Sequence, residues 1–180
     1  MCIRDSDNID HELLINPKMA FGTGHHETTF LMMQRMADIN FQGKKVLDYG
    51  CGTGILAILA SKLGANPIDA VDIEEPSYHN TIENAQFNKV ENINSIWGTL
   101  DHITASNYDI ILANINRHVI LNSLETLFEK LTINGHLLLS GILEEDGDLV
   151  LAAAKNAGFY MYQKHQRGNW LCLWVRKANE

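Results

Sequence analysis

The chain has 180 residues, enough for about one domain with a sizeable core. Apolar residues make up 46% and charged residues 20%, with 13 glycines and only 3 prolines, a balance that excludes disordered and low-complexity architectures. Twenty-two acidic against 14 basic residues give a net charge of −8, which disfavours a phosphate backbone as partner, and no basic cluster offsets it. The nearest is the dispersed set Lys164, Arg167, Arg176 and Lys177.

No apolar run approaches the ~20 residues that span a bilayer, and Met1 to Asp10 is too polar for a secretory signal. Cys2, Cys51 and Cys172 are odd in number and too scattered for a zinc or disulfide framework, which points to the reducing cytoplasm. Residues 1–6 join no pattern that follows and read as a translated cloning or assembly scar.

In chain order, a helix is expected over Thr28 to Ile39, entered through the loop Phe21-Gly22-Thr23-Gly24. From residue 43 onward, β-rich runs alternate with helix-length segments, the pattern of βαβ units on a parallel sheet. Strands are expected at Lys45 to Asp48, Ile68 to Ile73, Ile93 to Trp97, Tyr108 to Asn114 and His136 to Ser140, with helices at 54–63, 76–88, 117–131 and 146–157. Runs such as Ile110-Ile111-Leu112-Ala113 lack alternation, as strands covered on both faces should. After Gly158 the gap Gln166-Arg167-Gly168-Asn169 is too short for a crossover helix, so Phe159 to Lys164 and Trp170 to Arg176 must pair antiparallel. The count is seven strands, five linked by helices and a terminal hairpin.

The stretch Asp48-Tyr49-Gly50-Cys51-Gly52-Thr53-Gly54, followed by the apolar run Ile55 to Leu59, carries the most chemistry. A strand that ends in alternate glycines and opens into a helix lets a ligand lie against bare backbone near helix amides, which is a nucleotide-type site. A tight turn with no ligand would not need three glycines at alternate positions. Twenty-two residues after Gly50, Asp72 ends the second strand, placed to take the hydroxyls of a ribose.

Gly52-Thr53-Gly54-Ile55-Leu56-Ala57 also fits the G-x-G-x-x-A form used for NAD. S-adenosyl-L-methionine (AdoMet) explains three further features: the acid Asp48 before the loop, an antiparallel seventh strand, and Asn114 ending the fourth strand. AdoMet is therefore the cofactor expected, and an NAD-binding oxidoreductase the alternative.

The glycine motif resembles the first motif of the seven-stranded AdoMet-dependent methyltransferases. The loop from Asn16 to Thr29, with its Phe21-Gly22-Thr23-Gly24-His25-His26 core, together with Ala113-Asn114-Ile115 and Leu139-Ser140-Gly141-Ile142-Leu143, is similar to the ribosomal protein L-eleven methyltransferase family. The resemblance runs from about residue 16 to the C-terminus. It implies a Rossmann-like α/β sheet, mostly parallel with an antiparallel C-terminal hairpin and helices on both faces. It also implies methyl transfer from AdoMet to amino groups, lysine side chains or the N-terminal amine, of ribosomal protein L-eleven, with no nucleic-acid or membrane partner. Another protein or a small amine as acceptor, or a non-catalytic AdoMet-binding module, are the alternatives.

Carried over position by position, the family's cofactor contacts fall on Thr29, Gly50, Asp72 and Asn114, and the motif adds Asp48 and Gly52. Thr29 rests on the resemblance alone; as a first-turn helix residue it would otherwise use its hydroxyl as a cap. Asn114 is the expected catalytic residue, accepting a hydrogen bond from the attacking amine and aiming its lone pair. Many amino-group methyltransferases place Asn-Pro-Pro-aromatic here, whereas this chain reads Asn114-Ile115-Asn116-Arg117, in agreement with the ribosomal-protein family.

The expected organisation is thus 1–6 scar, 7–42 an N-terminal segment with a cofactor-covering loop (19–27) and a helix, and 43–180 the methyltransferase domain, with the family's N-terminal substrate-recognition domain absent. No metal site is expected: His26-Glu27-Thr28-Thr29-Phe30 begins like a zinc-protease motif but has Phe30 where the second histidine must stand. Of the adjacent His25 and His26, one is expected near the substrate amine. Met32, Met33 and Met36 read as core, Cys51 as a small loop residue, and Trp170 and Trp174 as packing on one face of the last strand.

Overall fold

A computed structural model describes residues 12–16 and 26–178. The scar at 1–6 and most of the covering loop, with His25, lie outside these residues. Seven strands form one sheet in the order β3-β2-β1-β4-β5-β7-β6. They are β1 (Val46–Tyr49), β2 (Ile68–Asp72), β3 (Ile93–Trp97), β4 (Tyr108–Asn114), β5 (Leu131–Leu143), β6 (Phe159–Arg167) and β7 (Trp170–Lys177). The first five are mutually parallel, and β7 runs antiparallel to both neighbours, β5 and β6.

Alternate strand residues feed two cores, as the two-residue period of a strand requires. On one face Val46, Ile68, Ile110, Leu112, Leu138, Cys172 and Trp174 pack beneath α1 (Glu27–Met36) and α2 (Ile55–Lys62). On the other, Leu47, Val71, Ile111, Leu137, Leu139 and Leu173 pack beneath α4 (Arg117–Lys130) and α5 (Gly147–Asn156). Met32, Met33 and Met36 are core residues as expected. In contrast, α3 (Glu75–Phe87) buries a mostly polar stripe of Ser77, Asn80, Thr81 and Asn84.

Three details differ from the sequence reading. The β3–β4 connection carries only a single 3-10 turn, Leu100–His102, rather than a helix, because the ten residues between those strands offer no apolar stripe. β5 starts at Leu131 rather than 136; it is interrupted where Asn134 takes a left-handed φ of 60° before Gly135, and pairing resumes at Ile110 and His136. The terminal hairpin is tighter than drawn, since Arg167 pairs Trp170 and only Gly168-Asn169 turns the chain.

The order β3-β2-β1-β4-β5 reverses direction between β1 and β4. In open α/β sheets, the crevice outside the carboxyl ends of the strands at that reversal is where ligands bind. β1 ends at Tyr49, paired with Ala113 of β4, so Gly50 and Asn114 emerge side by side there.

Candidate functional site

A cavity of about 750 Å³ opens at this crevice, within the range of small-molecule sites. Gly50 and Gly52 line its β1 side, Asp72 and Ile73 its β2 side, Asn114, Ile115 and Asn116 its β4 side, and Gly141 its β5 side.

The glycine loop is held by its own chain. The amides of Gly50 and Cys51 donate to the Val71 carbonyl at 2.8 and 3.1 Å, and Gly54 N–H donates to the Cys51 carbonyl at 2.8 Å. Gly50 has φ +74°, and a Cβ there would stand 2.2 Å from Ile115 Cγ2. Its lack of a side chain therefore lets the β4 exit pack close, in addition to baring backbone to a ligand. Gly141 mirrors it: φ is +82°, and a Cβ would meet the Ile115 carbonyl oxygen at 2.3 Å.

Asp72 accepts from Gly52 N–H at 2.9 Å through Oδ2 and from Glu74 N–H at 2.9 Å through Oδ1. Each carboxylate oxygen accepts more than one hydrogen bond, so both retain capacity for ribose hydroxyls on the cavity side. Asn114 donates from Nδ2 to Thr29 Oγ1 at 3.2 Å, while its Oδ1 finds no hydrogen-bond partner among the described residues. A carbonyl oxygen shielded from water and unpaired is costly unless something arrives to donate to it.

The match to a known family covers nearly the whole chain. The family model described as ribosomal protein L11 methyltransferase (PrmA) matches residues 4–178.

The chain belongs to the ribosomal protein L11 methyltransferase family.

A ribosomal protein L11 methyltransferase of Porphyromonas gingivalis is 44% identical over 167 residues, covering 92% of this chain and 58% of the relative. The namesake from Phocaeicola vulgatus is 37% identical over 171 residues, covering 94% and 61%. The chain therefore spans about three fifths of the length of these relatives. The crystal structure of a ribosomal protein L11 methylase from Lactobacillus delbrueckii subsp. bulgaricus superposes with a TM-score of 0.85 at 31% identity, over 92% of this chain and 84% of that one. A methyltransferase from Pyrococcus furiosus, 16% identical with a TM-score of 0.71 over 91% and 87%, shares the fold.

Of the residues that the family resemblance singles out, Gly50, Gly52, Asp72 and Asn114 line one cavity. Thr29 and Asp48 do not. Thr29 is fully buried in the first turn of α1, and its hydroxyl meets Asn114 rather than capping the helix; the N-cap is His26, whose ring nitrogen accepts from Thr28 N–H. Asp48 lies beneath the glycine loop, 1% exposed, where Oδ2 accepts from Ala57 N–H at 3.0 Å in the first turn of α2. Burial holds its carboxyl up at about 7, the amide of Ala57 opposing and the charge of Asp72 adding to the rise. Thr29 thus meets a residue that lines the cavity, and Asp48 meets the start of α2 behind the glycine loop.

Three residues of the cavity wall escaped the sequence reading in whole or part. Trp170, expected to be packing, lines the cavity and stands edge-on to His26, with ring centroids 5.1 Å apart. Only the sheet order shows this, because the start of β7 lies beside the end of β5, where Leu143 pairs Trp170. Trp174 is buried packing as expected, its indole N–H donating to His136 Nδ1 at 3.0 Å. Ser77 and Pro76 of α3 complete the β2 side, a helix start that spacing alone does not aim at the cavity.

Cys51 bonds Thr81 Oγ1 at 3.3 Å, and burial, with the charge of Asp48, pushes its thiol well up, which disfavours the thiolate that a nucleophile needs. Three of the four basic residues near the C-terminus are engaged locally: Arg167 lies over the Phe30 ring at 3.8 Å, Arg176 donates to the Asn134 carbonyl, and Lys177 donates to the carbonyls of Phe128 and Leu131. Among the described residues, no helix is long and apolar enough to cross a membrane.

Proposed function

We propose that this chain carries the catalytic region of an AdoMet-dependent N-methyltransferase acting on amino groups, lysine side chains or the N-terminal amine, of ribosomal protein L11. The observation that carries the reading is Asn114: this residue ends β4 and lines the same cavity as the glycine loop and Asp72, and its buried Oδ1 has no hydrogen-bond partner among the described residues. Family membership and relatives bearing that name support the acceptor.

Asp72 suits the ribose hydroxyls, and the bare backbone at Gly50 and Gly52 suits the remainder of the cofactor. When bound, AdoMet supplies a methyl group on a sulfonium, an electrophile that needs no activation. The protein then has to deliver a neutral amine in line with it, which is a positioning problem. Asn114 Oδ1 accepts one amine N–H and so aims the lone pair, and Thr29 fixes the amide by taking its Nδ2–H. His26 and Trp170 form the wall on that side of the cavity. AdoMet held there would supply the methyl carbon to the amine nitrogen, its carbon–sulfur bond electrons leaving with S-adenosylhomocysteine, and the methylated ammonium would release its proton to solvent.

A calorimetric titration with AdoMet and with NAD tests the cofactor, AdoMet alone being expected to bind; binding of NAD without AdoMet would overturn the reading. Transfer of a labelled methyl group to purified L11, and not to other ribosomal proteins, is the expected result of the activity assay.

A further inference from the structure

The polar stripe on α3 does something that neither core requires. Asn80, Asn84 and Asn88 recur every fourth residue along one face of α3 and its C-cap, and all three are buried. They bind the backbone of residues 14–16 as a neighbouring strand would. Asn88 Oδ1 accepts from Leu14 N–H at 2.9 Å while its Nδ2 donates to the Leu14 carbonyl at 2.7 Å. Asn84 Oδ1 accepts from Asn16 N–H at 2.9 Å, and Asn80 Nδ2 donates to the Asn16 carbonyl at 2.9 Å. Leu13 fastens the same segment by burying its side chain in the α1–α2 core, whereas Leu14 is 53% exposed.

The same helix also holds the glycine loop. Asn84 Nδ2, besides reaching Asn16, donates to the Thr53 carbonyl at 2.9 Å, and Thr81 Oγ1 donates to the Gly52 carbonyl at 3.1 Å. A Cβ on Gly54 would meet Thr81 Cγ2 at 2.8 Å, so helix and loop are in tight contact. One amide, that of Asn84, therefore clamps the segment 14–16 and the cofactor loop together.

We propose that Asn80, Asn84 and Asn88 are positioning residues that couple docking of the segment 12–16 to the shape of the glycine loop, so that this segment strengthens AdoMet binding without touching the cofactor. The inference rests on AdoMet being the ligand of that loop. Coupling between two sites is reciprocal: if a docked segment tightens cofactor binding by some factor, bound cofactor must hold the segment down by the same factor.

Both directions can be read. In the wild-type chain, saturating AdoMet should slow hydrogen exchange at the Leu14 and Asn16 amides by about threefold or more. Asn88→Ala, which loses two bonds to Leu14 and one to the Asn84 carbonyl of its own helix but none to the loop, should weaken AdoMet binding by about three- to tenfold. Val150→Ala, in the α5 core, serves as the reference for general destabilisation, and Gln86→Ala, exposed on α3, for a change on the same helix; both should bind AdoMet as wild type does.

A purely structural ladder predicts otherwise: Asn88→Ala lowers the melting temperature yet matches Val150→Ala in affinity, and the two amides exchange at the same rate with and without AdoMet. Either result overturns the proposal, and the exchange measurement needs no variant to fold. A wild-type chain that does not bind AdoMet at all would instead overturn the reading under Proposed function, and the coupling with it.

Discussion

On the β1 bank of the cavity, every turn of the glycine loop is tied down: amides to Val71, Cys51 and Asp72, carbonyls to Thr81 and Asn84, and the helix behind it to Asp48. Across the crevice, the β4 bank is held more sparsely. Ile115 N–H donates to the Ser140 carbonyl at 3.2 Å, Asn116 caps α4, and Asn114 is tethered through one amide hydrogen while its buried oxygen has no partner among the described residues. A surface that only binds gains from being satisfied beforehand, since nothing then has to reorganise when the ligand arrives. A group that must take up a reacting hydrogen bond gains from being fixed in place but unsatisfied. On the proposed function, the difference between the banks is the difference between holding a donor and aiming an acceptor.

The largest expected effect strikes the β4 bank where it packs on β5. Gly141→Ala puts a Cβ against the Ile115 carbonyl, which is backbone and cannot swing aside, at a left-handed φ. A loss of about 2–4 kcal/mol in unfolding free energy, read by denaturant titration, is expected, and turnover should fall with it.

Next comes Asn114→Ala, which should lower turnover about 100-fold through a misplaced amine while AdoMet affinity stays nearly unchanged. Single-turnover methyl transfer beside a binding titration separates the two. Unchanged turnover would remove Asn114 from its role and erase the contrast between the banks.

Asp48→Asn tests how the β1 bank is tied down. Its folded carboxyl sits at about 7, above the ordinary 3.8, so the folded chain holds its proton more tightly than the unfolded chain does. That contribution to stability is complete below the unfolded value and is lost as pH rises through about 7. Relative to Asp48→Asn, which never ionises, the wild type should therefore lose about 2 kcal/mol between pH 5 and 7. His136, lowered to about 4 by burial and by the Arg176 and Lys44 charges, titrates in the opposite sense but is present in both proteins and cancels. Parallel stability curves would show that Asp48 is charged and paired.

The smallest effect is at Thr29→Val. If Thr29 acts through Asn114, turnover should fall about fivefold, the worth of one hydrogen bond, with AdoMet affinity moving less than twofold. A loss confined to affinity would make Thr29 a direct contact of the cofactor instead.

What could be read in advance follows a simple division. Gly50, Asp72 and Asn114 are legible because each ends a strand, and strand ends are marked by local pattern: an apolar run stops, and a glycine, acid or amide follows. A parallel sheet gathers such ends at one edge whatever else the chain does. Trp170 packs against the α1–α2 core as expected, but that it also lines the cavity is not legible, because its neighbourhood is set by β7 lying beside β5, a pairing that the residues around it do not encode. The asparagines at 80, 84 and 88 show a helical period in plain view, yet polar residues at that spacing ordinarily mark a solvated face. The docking of residues 12–16 and of the glycine loop turns that face inward.

The sequence by itself therefore determined the parallel sheet, the antiparallel end of the chain and the three residues at the strand ends, since periodicity and turn chemistry act within a few residues. The tertiary structure alone decided which side chains stand in the cavity and which stand behind it. Thr29 and Asp48 belong to motifs that suggest contact with a ligand. Their burial, with one hydroxyl turned to Asn114 and one carboxylate to Ala57, is settled by elements meeting from 85 and 9 residues away. Such meetings are fixed by the packing of whole layers, which no local pattern specifies.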